Sequence, residues 1–372
     1  MSEEDLLDAA SSGNLERVEE LLQSDILIDC DDKYGKTPLY CAAGKGHIEV
    51  VRILIGMKAS LNIRNRRSGR TSLSWAARKG HVEVVRILVE ARAALNTIDF
   101  VYMRTPLFWA VANGHVEIVR ILVRAGADLN TRDLANQTPL LQAVKGRIEI
   151  VRILVEAGAS LDASGWDHKT PLCLAMERGR VEVIRILVGA GASPNIRNRF
   201  GQTPLSLVAE KGHIETVRIL IAAGAFLNVP DSNNRTPLYW AAREGHSEIV
   251  RILVKAGAFL EKLDSNNQTS LSWVAKGDYS KIVRTLVEAG AWIYSDDGHG
   301  STPWDLFFSE PKIRELLATS SSQNWRPEVH HLTAKATRRI VIIIMAIWTC
   351  SEKTCLDHLP HEMLFHIFNF LV

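Results

Sequence analysis

A short triplet recurs through most of this chain at an almost constant spacing. Thr, then Pro or Ser, then Leu or Trp, occurs nine times, at successive spacings of 34, 34, 33, 32, 33, 33, 33 and 33 residues. The triplets begin at Thr37, Thr71, Thr105, Thr138, Thr170, Thr203, Thr236, Thr269 and Thr302. Self-similarity at this period is typical of a solenoid, in which each unit packs only against its neighbours. The repeat therefore constrains the fold class more than any local feature does.

Each unit has the pattern of two helices joined by a glycine turn. Thr is a good helix N-cap, and Pro fits the first helical position, where its missing N–H costs nothing. A Gly, often followed by His, permits a left-handed turn into a second apolar run of the type EIVRILV. In the unit that begins at Thr71, the expected buried stripe of the first helix is Leu73, Ala76 and Ala77. The expected buried residues of its second helix are Val84, Val85, Leu88 and Val89.

The whole unit, TPLxxAAxxGHxEIVRILVxAGAxLN, resembles the ankyrin repeat over roughly residues 1–318. The resemblance implies an all-α solenoid of about nine to ten helix-turn-helix units with β-turn loops. Residues 1–34 resemble an N-terminal capping repeat, residues 35–300 the repeats proper, and residues 301–319 a degenerate C-terminal capping repeat.

Two departures from the pattern predict local weakness. The units that begin at Thr138 and Thr269 are one residue short between triplet and glycine, which predicts a distorted first helix or turn. Lys58 and Arg92 stand where six other units place a Gly after the second helix. A non-Gly residue in a left-handed C-cap costs about 1–2 kcal/mol. We therefore expect the stack to be weakest around residues 55–95.

Composition argues against several classes of partner. With 44 basic and 42 acidic residues the formal net charge is +2, so the chain has no sequence-wide attraction to nucleic acid. The opening MSEEDLLDAASSGN lacks the order of a secretory signal, and the longest strongly apolar run, residues 340–348, is far shorter than the ~20 residues that cross a bilayer. We expect no nucleic-acid or membrane partner and a cytoplasmic or nuclear location. The five scattered cysteines are interpreted as reduced thiols.

The sequence contains no motif that predicts catalysis, a cofactor or a metal site. The patterns GxxxxGK[ST], HExxH, GxSxG and a kinase-like HRD set are absent, so we expect a non-enzymatic protein. The histidines after the turn glycines occupy equivalent points of successive units, about 10 Å apart, which is too far for one shared ion. We interpret them as structural turn residues.

Glu and Arg recur three residues apart in the second helices, where side chains are neighbours. The pattern favours a ladder of exposed ion pairs within each helix over an acid-binding stripe. The pairs are Glu49/Arg52, Glu83/Arg86, Glu117/Arg120, Glu149/Arg152, Glu182/Arg185, Glu215/Arg218 and Glu248/Arg251.

Four tryptophans give the clearest functional signal, because each lies four residues after the Thr of its triplet. At ~100° per residue this position points away from the buried stripe, which predicts that the rings face an open groove. Trp is enriched at binding hot spots, and the flanking cations would suit an acidic partner segment. The alternative is that the tryptophans pack on neighbouring first helices. The candidate groove residues are Trp75, Arg78, Lys79, Trp109, Trp240, Arg243 and Trp273. By family resemblance, this groove and the loops are where partner proteins dock.

Five loop asparagines resemble substrates of the ankyrin-directed asparaginyl hydroxylase. They are Asn62, Asn96, Asn130, Asn195 and Asn228. The alternative is that each amide bonds its own backbone in the turn, without modification.

The periodicity ends before a polar linker at residues 320–330 and a separate helical tail at residues 331–372. The tail resembles the first helix of an F-box, as in truncated F-box-like ends of poxviral ankyrin proteins. The matching residues are Leu359, Pro360, Glu362, Leu364, Ile367, Phe368 and Leu371. This resemblance implies docking on the Skp-type adaptor of cullin ubiquitin ligases, and a rival resemblance to the SOCS box implies elongins. A third interpretation is that the tail helices only cap the stack.

Taken together, the sequence predicts a protein-binding module without catalytic residues. Its expected role is substrate recognition for a cullin-type ubiquitin ligase, with an unidentified client in the groove. The alternative is a scaffold or regulatory protein whose tail contributes only stability.

Overall fold

A computed structural model of the protein describes residues 2–24, 26–275, 277 and 279–292. The expected capping repeat at 301–319, the linker at 320–330 and the tail at 331–372 lie outside the described residues. The chain divides into two compact units, Met1–Ser265 and Asn266–Val372. The described residues contain helices and loops without a strand, which confirms the all-α solenoid.

The helices come in consecutive pairs. In chain order they are α1 (Glu3–Ser12), α2 (Leu15–Leu22), α3 (Pro38–Lys45), α4 (Ile48–Gly56), α5 (Ser72–Lys79), α6 (Val82–Glu90), α7 (Pro106–Asn113), α8 (Val116–Arg124), α9 (Pro139–Ala143), α10 (Ile148–Glu156), α11 (Pro171–Glu177), α12 (Val181–Gly189), α13 (Pro204–Lys211), α14 (Ile214–Ala222), α15 (Pro237–Arg243), α16 (Ser247–Lys255), α17 (Ser270–Val274) and α18 (Ser280–Glu288). Within Met1–Ser265, first helices pack on first helices of neighbouring pairs, and second helices on second helices. In the other unit, α17 packs on α18.

The threonine of each triplet starts its helix as the sequence predicts. Its Oγ1 accepts a hydrogen bond from the backbone N–H three residues later, at 3.1–3.3 Å, in each of the eight described triplets. The threonines themselves are buried. Each cap therefore satisfies a helix donor that water does not reach.

Small residues on the first helix allow the close packing between pairs. Leu73, Ala76 and Ala77 of α5 are fully buried, as predicted. On α6 the prediction is wrong at one position, because Val89 is half-exposed and Ile87 is buried instead. Ile87 is part of the buried face because α6 packs on the second helices α4 and α8 as well as on α5.

The two predicted irregularities are both present. The short units give the five-residue helices α9 and α17, whereas the other first helices have at least seven residues. Lys58 and Arg92 have φ angles of 68° and 65°, in the left-handed region where Gly126 and its equivalents lie. A side chain with a Cβ is strained there, so two adjacent units carry a cost that the later units avoid.

No helix in the described part of the chain has the length and apolarity that a bilayer span requires.

We predict that replacing Lys58 and Arg92 by Gly stabilises residues 55–95. Relief of the left-handed strain, less the added chain entropy of Gly, should gain about 0.5–1 kcal/mol per site. Hydrogen exchange followed by mass spectrometry measures this locally. In the parent chain, amides of residues 55–95 should exchange faster than those of residues 200–260, and the double variant should reduce the difference.

The matched control is Lys58→Ala, which removes the charge and keeps the Cβ, and which should leave exchange unchanged. Equal protection of the two regions in the parent chain would contradict the prediction.

Candidate functional site

The surface formed by the first helices and the loops that precede them is here called the inner face. In three of its loops a buried aspartate closes the turn with one carboxylate oxygen. Oδ1 of Asp99 accepts from the N–H of Tyr102 at 2.7 Å, and the equivalent oxygens of Asp133 and Asp231 each accept two turn N–H groups at 2.9–3.0 Å. All three aspartates are buried. Their second oxygens are thereby held in place towards the first helices.

The second oxygen of each aspartate binds a side chain of the inner face. Oδ2 of Asp99 accepts from Nε1 of Trp109 at 2.8 Å and from Nε of Arg70, in the preceding unit, at 3.2 Å. Oδ2 of Asp231 accepts from Nε1 of Trp240 at 3.2 Å. Each indole N–H thus has an acceptor away from water, as a buried tryptophan requires.

The expectation that all four tryptophans face an open groove is wrong for Trp109 and Trp240. They are only 5% and 7% exposed. The reason is that the loop aspartates supply acceptors which the periodicity does not reveal. Trp75 and Trp273 are half-buried, the latter within the unit Asn266–Val372.

Trp75 covers the preceding first helix rather than projecting from the surface. Its Cδ1 lies so close to Gly44 of α3 that a Cβ built there would approach it to 1.8 Å. Its ring also stacks on Tyr40, with centroids 6.0 Å apart and an interplanar angle of 7°. The alternative interpretation, packing on the neighbouring first helix, therefore describes the geometry of Trp75.

Guanidinium groups lie over the aromatic rings of the inner face. The Arg78 guanidinium lies 5.1 Å from the Trp75 centroid and 4.8 Å from the Trp109 centroid. Arg70 lies between the same two rings, at 5.5 and 4.7 Å, and Arg243 lies 5.2 Å from Trp240. Such contacts hold a long, flexible side chain in one orientation.

Arg78 differs from Arg70 in having no acidic partner. Arg70 pairs with Asp99, whereas no carboxylate of the described residues lies within 4.0 Å of Arg78. Burial, followed by the charge of Arg70, lowers the pKa of Arg78. Lys79, beside it, is exposed, with its Nζ 5.1 Å from the Trp75 centroid. This part of the inner face therefore holds an oriented positive group that has no counter-charge.

The middle units lack this aromatic layer, because Gln142, Leu174 and Leu207 stand at the tryptophan position. Gln137 stands where Arg70 and Arg104 stand in the earlier units, immediately before the threonine. A cavity of about 470 Å³ opens here on the inner face, with Lys145, Lys169, Arg178 and Lys211 among its lining residues.

A family model described as ankyrin repeats (3 copies) matches residues 6–99, 58–133, 107–198, 172–264 and 228–297. Together these ranges cover well over half of the 372 residues. The chain belongs to the ankyrin-repeat family. Repeats of this family are protein–protein interaction modules, so the inner face is assessed below as a surface for a protein.

The turn histidines of the ankyrin units join successive units. Nε2 of His47 donates to the Ser11 carbonyl at 3.0 Å, and His81, His115 and His246 bond the end of the preceding first helix at 3.0–3.2 Å. No group of three metal-ligating side chains occurs among the described residues. The geometry fits the interpretation of these histidines as structural.

The Arg–Glu ladder runs mainly between ankyrin units, which corrects the prediction of pairs within each helix. Arg152 reaches Glu182 at 3.3 Å, Arg185 reaches Glu215 at 2.5 Å, and Arg218 reaches Glu248 at 3.0 Å. Arg52 reaches Glu83 at 3.3 Å, and Arg120 also pairs with Glu149 of the following unit. The contact three residues away is retained by Arg52, Arg86 and Arg251. In the stack, the glutamate of the next unit lies as near to an arginine as the glutamate of the same helix. The sequence spacing alone therefore cannot predict which glutamate the arginine pairs with.

The five asparagines also bond the following unit rather than their own turn. The side-chain oxygens of Asn62, Asn96, Asn130, Asn195 and Asn228 accept backbone N–H groups of Ala94, Asp128, Ser160, Phe226 and Phe259 at 2.8–2.9 Å. Asp29 and Asp162 fill the same position with the same bond. An oxygen acceptor is what this position requires, which explains why Asn and Asp exchange there.

The three described cysteines, Cys30, Cys41 and Cys173, are free thiols. Burial raises the pKa of Cys30 and of Cys41 to about 11, so both stay protonated and weakly nucleophilic at neutral pH. The tail residues Leu359, Pro360, Glu362, Leu364, Ile367, Phe368 and Leu371 lie outside the described residues.

We predict that Asp99→Asn destabilises the protein by about 3 kcal/mol, because it leaves the buried guanidinium of Arg70 without its counter-charge. The side chains of the pair are 9% and 0% exposed. Urea unfolding followed by circular dichroism measures the change in the free energy of unfolding. Glu215→Gln, which removes one carboxylate of an exposed Arg185–Glu215 pair, is the control and should change it by less than about 0.5 kcal/mol. Equal effects of the two substitutions would contradict the assigned role of Asp99.

Proposed function

We propose that the inner face captures a client protein and that the tail recruits a cullin-type ubiquitin ligase to it. The observation that carries the first part is Arg78, which is stacked between Trp75 and Trp109 and has no acidic partner among the described residues. A guanidinium fixed in this way is a preorganised partner for a carboxylate of the client, because little side-chain entropy remains to be lost on binding. Lys79 extends the same cationic character, whereas Arg243 on Trp240 pairs with Glu244 at 3.6 Å.

The second part is supported by the sequence of residues 359–371, which resembles the first helix of an F-box. Such a helix would dock on a Skp-type adaptor bound to a cullin. The protein would then act without catalysis and without a cofactor. Tethering raises the effective concentration of the client near the charged ubiquitin carrier. The proposed location is the cytoplasm or the nucleus.

The second candidate function is a scaffold or regulatory ankyrin protein whose tail only caps the stack. It is favoured by the many bonds between units, which stabilise the ankyrin stack without a further partner. The two candidates share the inner face and differ in what residues 356–372 do.

We predict that affinity purification with mass spectrometry separates the two candidates. Full chain should co-purify with a Skp-type adaptor and a cullin, and deletion of residues 356–372 should lose both while clients stay bound. Elongins in place of the Skp-type adaptor would assign the tail to the SOCS class. Clients bound to both forms, with neither ligase component, would establish the scaffold.

A charge reversal on the inner face tests client capture in the same experiment. Arg78→Glu should lose clients and keep the ligase components, because the two parts are separate in the chain. Arg86→Glu, on the exposed side of α6, is the matched control and should keep both. Circular dichroism confirms that both variants are folded. Client recovery unaffected by Arg78→Glu would refute the inner face as the capture surface.

The five loop asparagines are proposed substrates of an asparaginyl hydroxylase. Those at 62, 96 and 130 are exposed, so an enzyme has access to their side chains. We predict species of added mass about 16 Da per site, the mass of one oxygen atom, in protein isolated from cells, with the oxygen located by peptide fragmentation. Intact mass without any such addition would remove the proposal.

A further inference from the structure

The cavity on the inner face lies where three consecutive units meet, those that begin at Thr138, Thr170 and Thr203. Its volume is about 470 Å³, and it opens to solvent. Lys145 and Lys169 line it as half-buried side chains, while Arg178 and Lys211 stand exposed at its rim. Four cations thus converge from three units on one space.

Lys145 is held in place by neutral groups. Its Nζ donates to Oε1 of Gln137 and to Oε1 of Gln142, both at 2.8 Å. Two amide oxygens position an ammonium without cancelling its charge, and one of its three N–H donors remains. In the earlier unit the cation Arg104 instead meets the carboxylate of Asp133 at 3.0 Å. Lys145 is therefore oriented without being neutralised, whereas Arg104 is neutralised by its carboxylate.

The remaining lining charges leave the cavity positive. Lys169 contacts the cavity's two carboxylates, Glu177 at 2.8 Å and Asp167 at 3.8 Å. No carboxylate of the described residues lies within 4.0 Å of Lys145, Arg178 or Lys211. Four cations face two carboxylates, so a surplus of two positive charges remains. Glu210 lies outside the lining, where its carboxylate accepts from Gln202 at 3.1 Å.

The environment of Lys145 agrees with this imbalance. Burial, followed by the charge of Arg178, lowers the pKa of Lys145. The negative charge of a bound anion would offset both effects.

We propose that this cavity binds the phosphoryl group of a phosphorylated side chain on the client. A phosphoserine or phosphothreonine carries about −1.5 to −2 charges at neutral pH, which matches the surplus, whereas one carboxylate would cancel only half of it. Donors from Lys145, Arg178 and Lys211, one in each of three units, suit the three phosphoryl oxygens. The proposal rests on the proposed function, since the client must lie on the inner face.

A nucleic acid fits this surface less well, because its phosphates need a continuous basic track. The residues equivalent to Arg178 and Lys211 in the flanking units are Asn113 on one side and Glu244 on the other. The basic site is therefore confined to three units.

The favourable effect of cations at helix ends does not account for the cavity. Lys45 ends α3 as Lys211 ends α13, and both gain from the helix dipole. Lys45 is exposed and does not line the cavity, so it provides a matched control.

The first test titrates the full chain with inorganic phosphate at pH 7.5, with chloride added to keep the ionic strength constant, and measures heat by calorimetry. We expect saturable binding that Arg178→Gln or Lys211→Gln each weakens about tenfold, the loss of one charge-assisted contact. Lys45→Gln should bind as the parent does. Absence of saturable binding, or an equal loss in Lys45→Gln, would overturn the proposal.

The second test asks whether the phosphoryl group belongs to the client. Lysate is treated with a phosphatase before capture on the full chain. Clients whose capture depends on Arg178 and Lys211 should be lost. Capture of these clients after the treatment would overturn the proposal, even if their capture also depends on Arg78. If no client is captured from either lysate, the proposed function fails, and the phosphate titration still decides the nature of the cavity. Binding of a single-stranded RNA oligonucleotide more tightly than phosphate, with the same dependence on Arg178 and Lys211, would also overturn it.

Discussion

The inner face depends on a side-chain oxygen that closes the loop before most of its first helices. An Asp or Asn closes the turn by accepting backbone N–H groups, as Asp99 does for Tyr102 and Asn65 for Arg70. Where the residue is Asp, the turn holds the second oxygen at a fixed point. That point is where Trp109 and Arg70 find their acceptor, so one carboxylate fixes a loop, a first helix and the preceding unit together. In a solenoid, stability is a sum over units and their nearest-neighbour interfaces. A carboxylate that bonds a loop, a first helix and the preceding unit therefore contributes both to the stability of its own unit and to that of an interface.

The contacts between units differ in strength. The Arg–Glu pairs are exposed, and each contributes about 0–1 kcal/mol. The bonds from the histidine rings are partly buried, and those from the loop asparagines are exposed; a hydrogen bond of either kind contributes about 1 kcal/mol or less. The asparagine bond has a further consequence, because the unit that supplies the oxygen and the unit that supplies the N–H are different. Loss of one unit therefore leaves a donor or an acceptor without a partner in the next.

The sequence predicts those features that depend on neighbours along the chain. The threonine caps, the short helices α9 and α17 and the left-handed Lys58 and Arg92 are local, and all were found as expected. The burial of Trp109 could not be predicted from the helix period, because it depends on an acceptor in the loop that precedes its helix. The direction of the Arg–Glu pairs depends on the stacking distance, which the sequence does not contain. The signal that could have indicated the buried indoles is a loop Asp followed by a unit in which Trp is the fifth residue, counted from the Thr of the triplet.

The contrast between the aromatic and the polar parts of the inner face follows from one position. The fifth residue of the triplet unit is Trp75 or Trp109 in two adjacent units, and the indole closes the space between first helices. In the next three units this residue is Gln142, Leu174 or Leu207, each smaller than an indole. The space that the indole would cover is then open, and Leu174 lines the cavity that results. Gln142 also turns its amide towards Lys145, so the substitution that opens the cavity supplies an acceptor that orients its cation. The change of this residue from Trp to Gln or Leu thus accompanies the change from a packed seam to a charged recess, and a repeat of nearly constant length presents two different chemistries on one face.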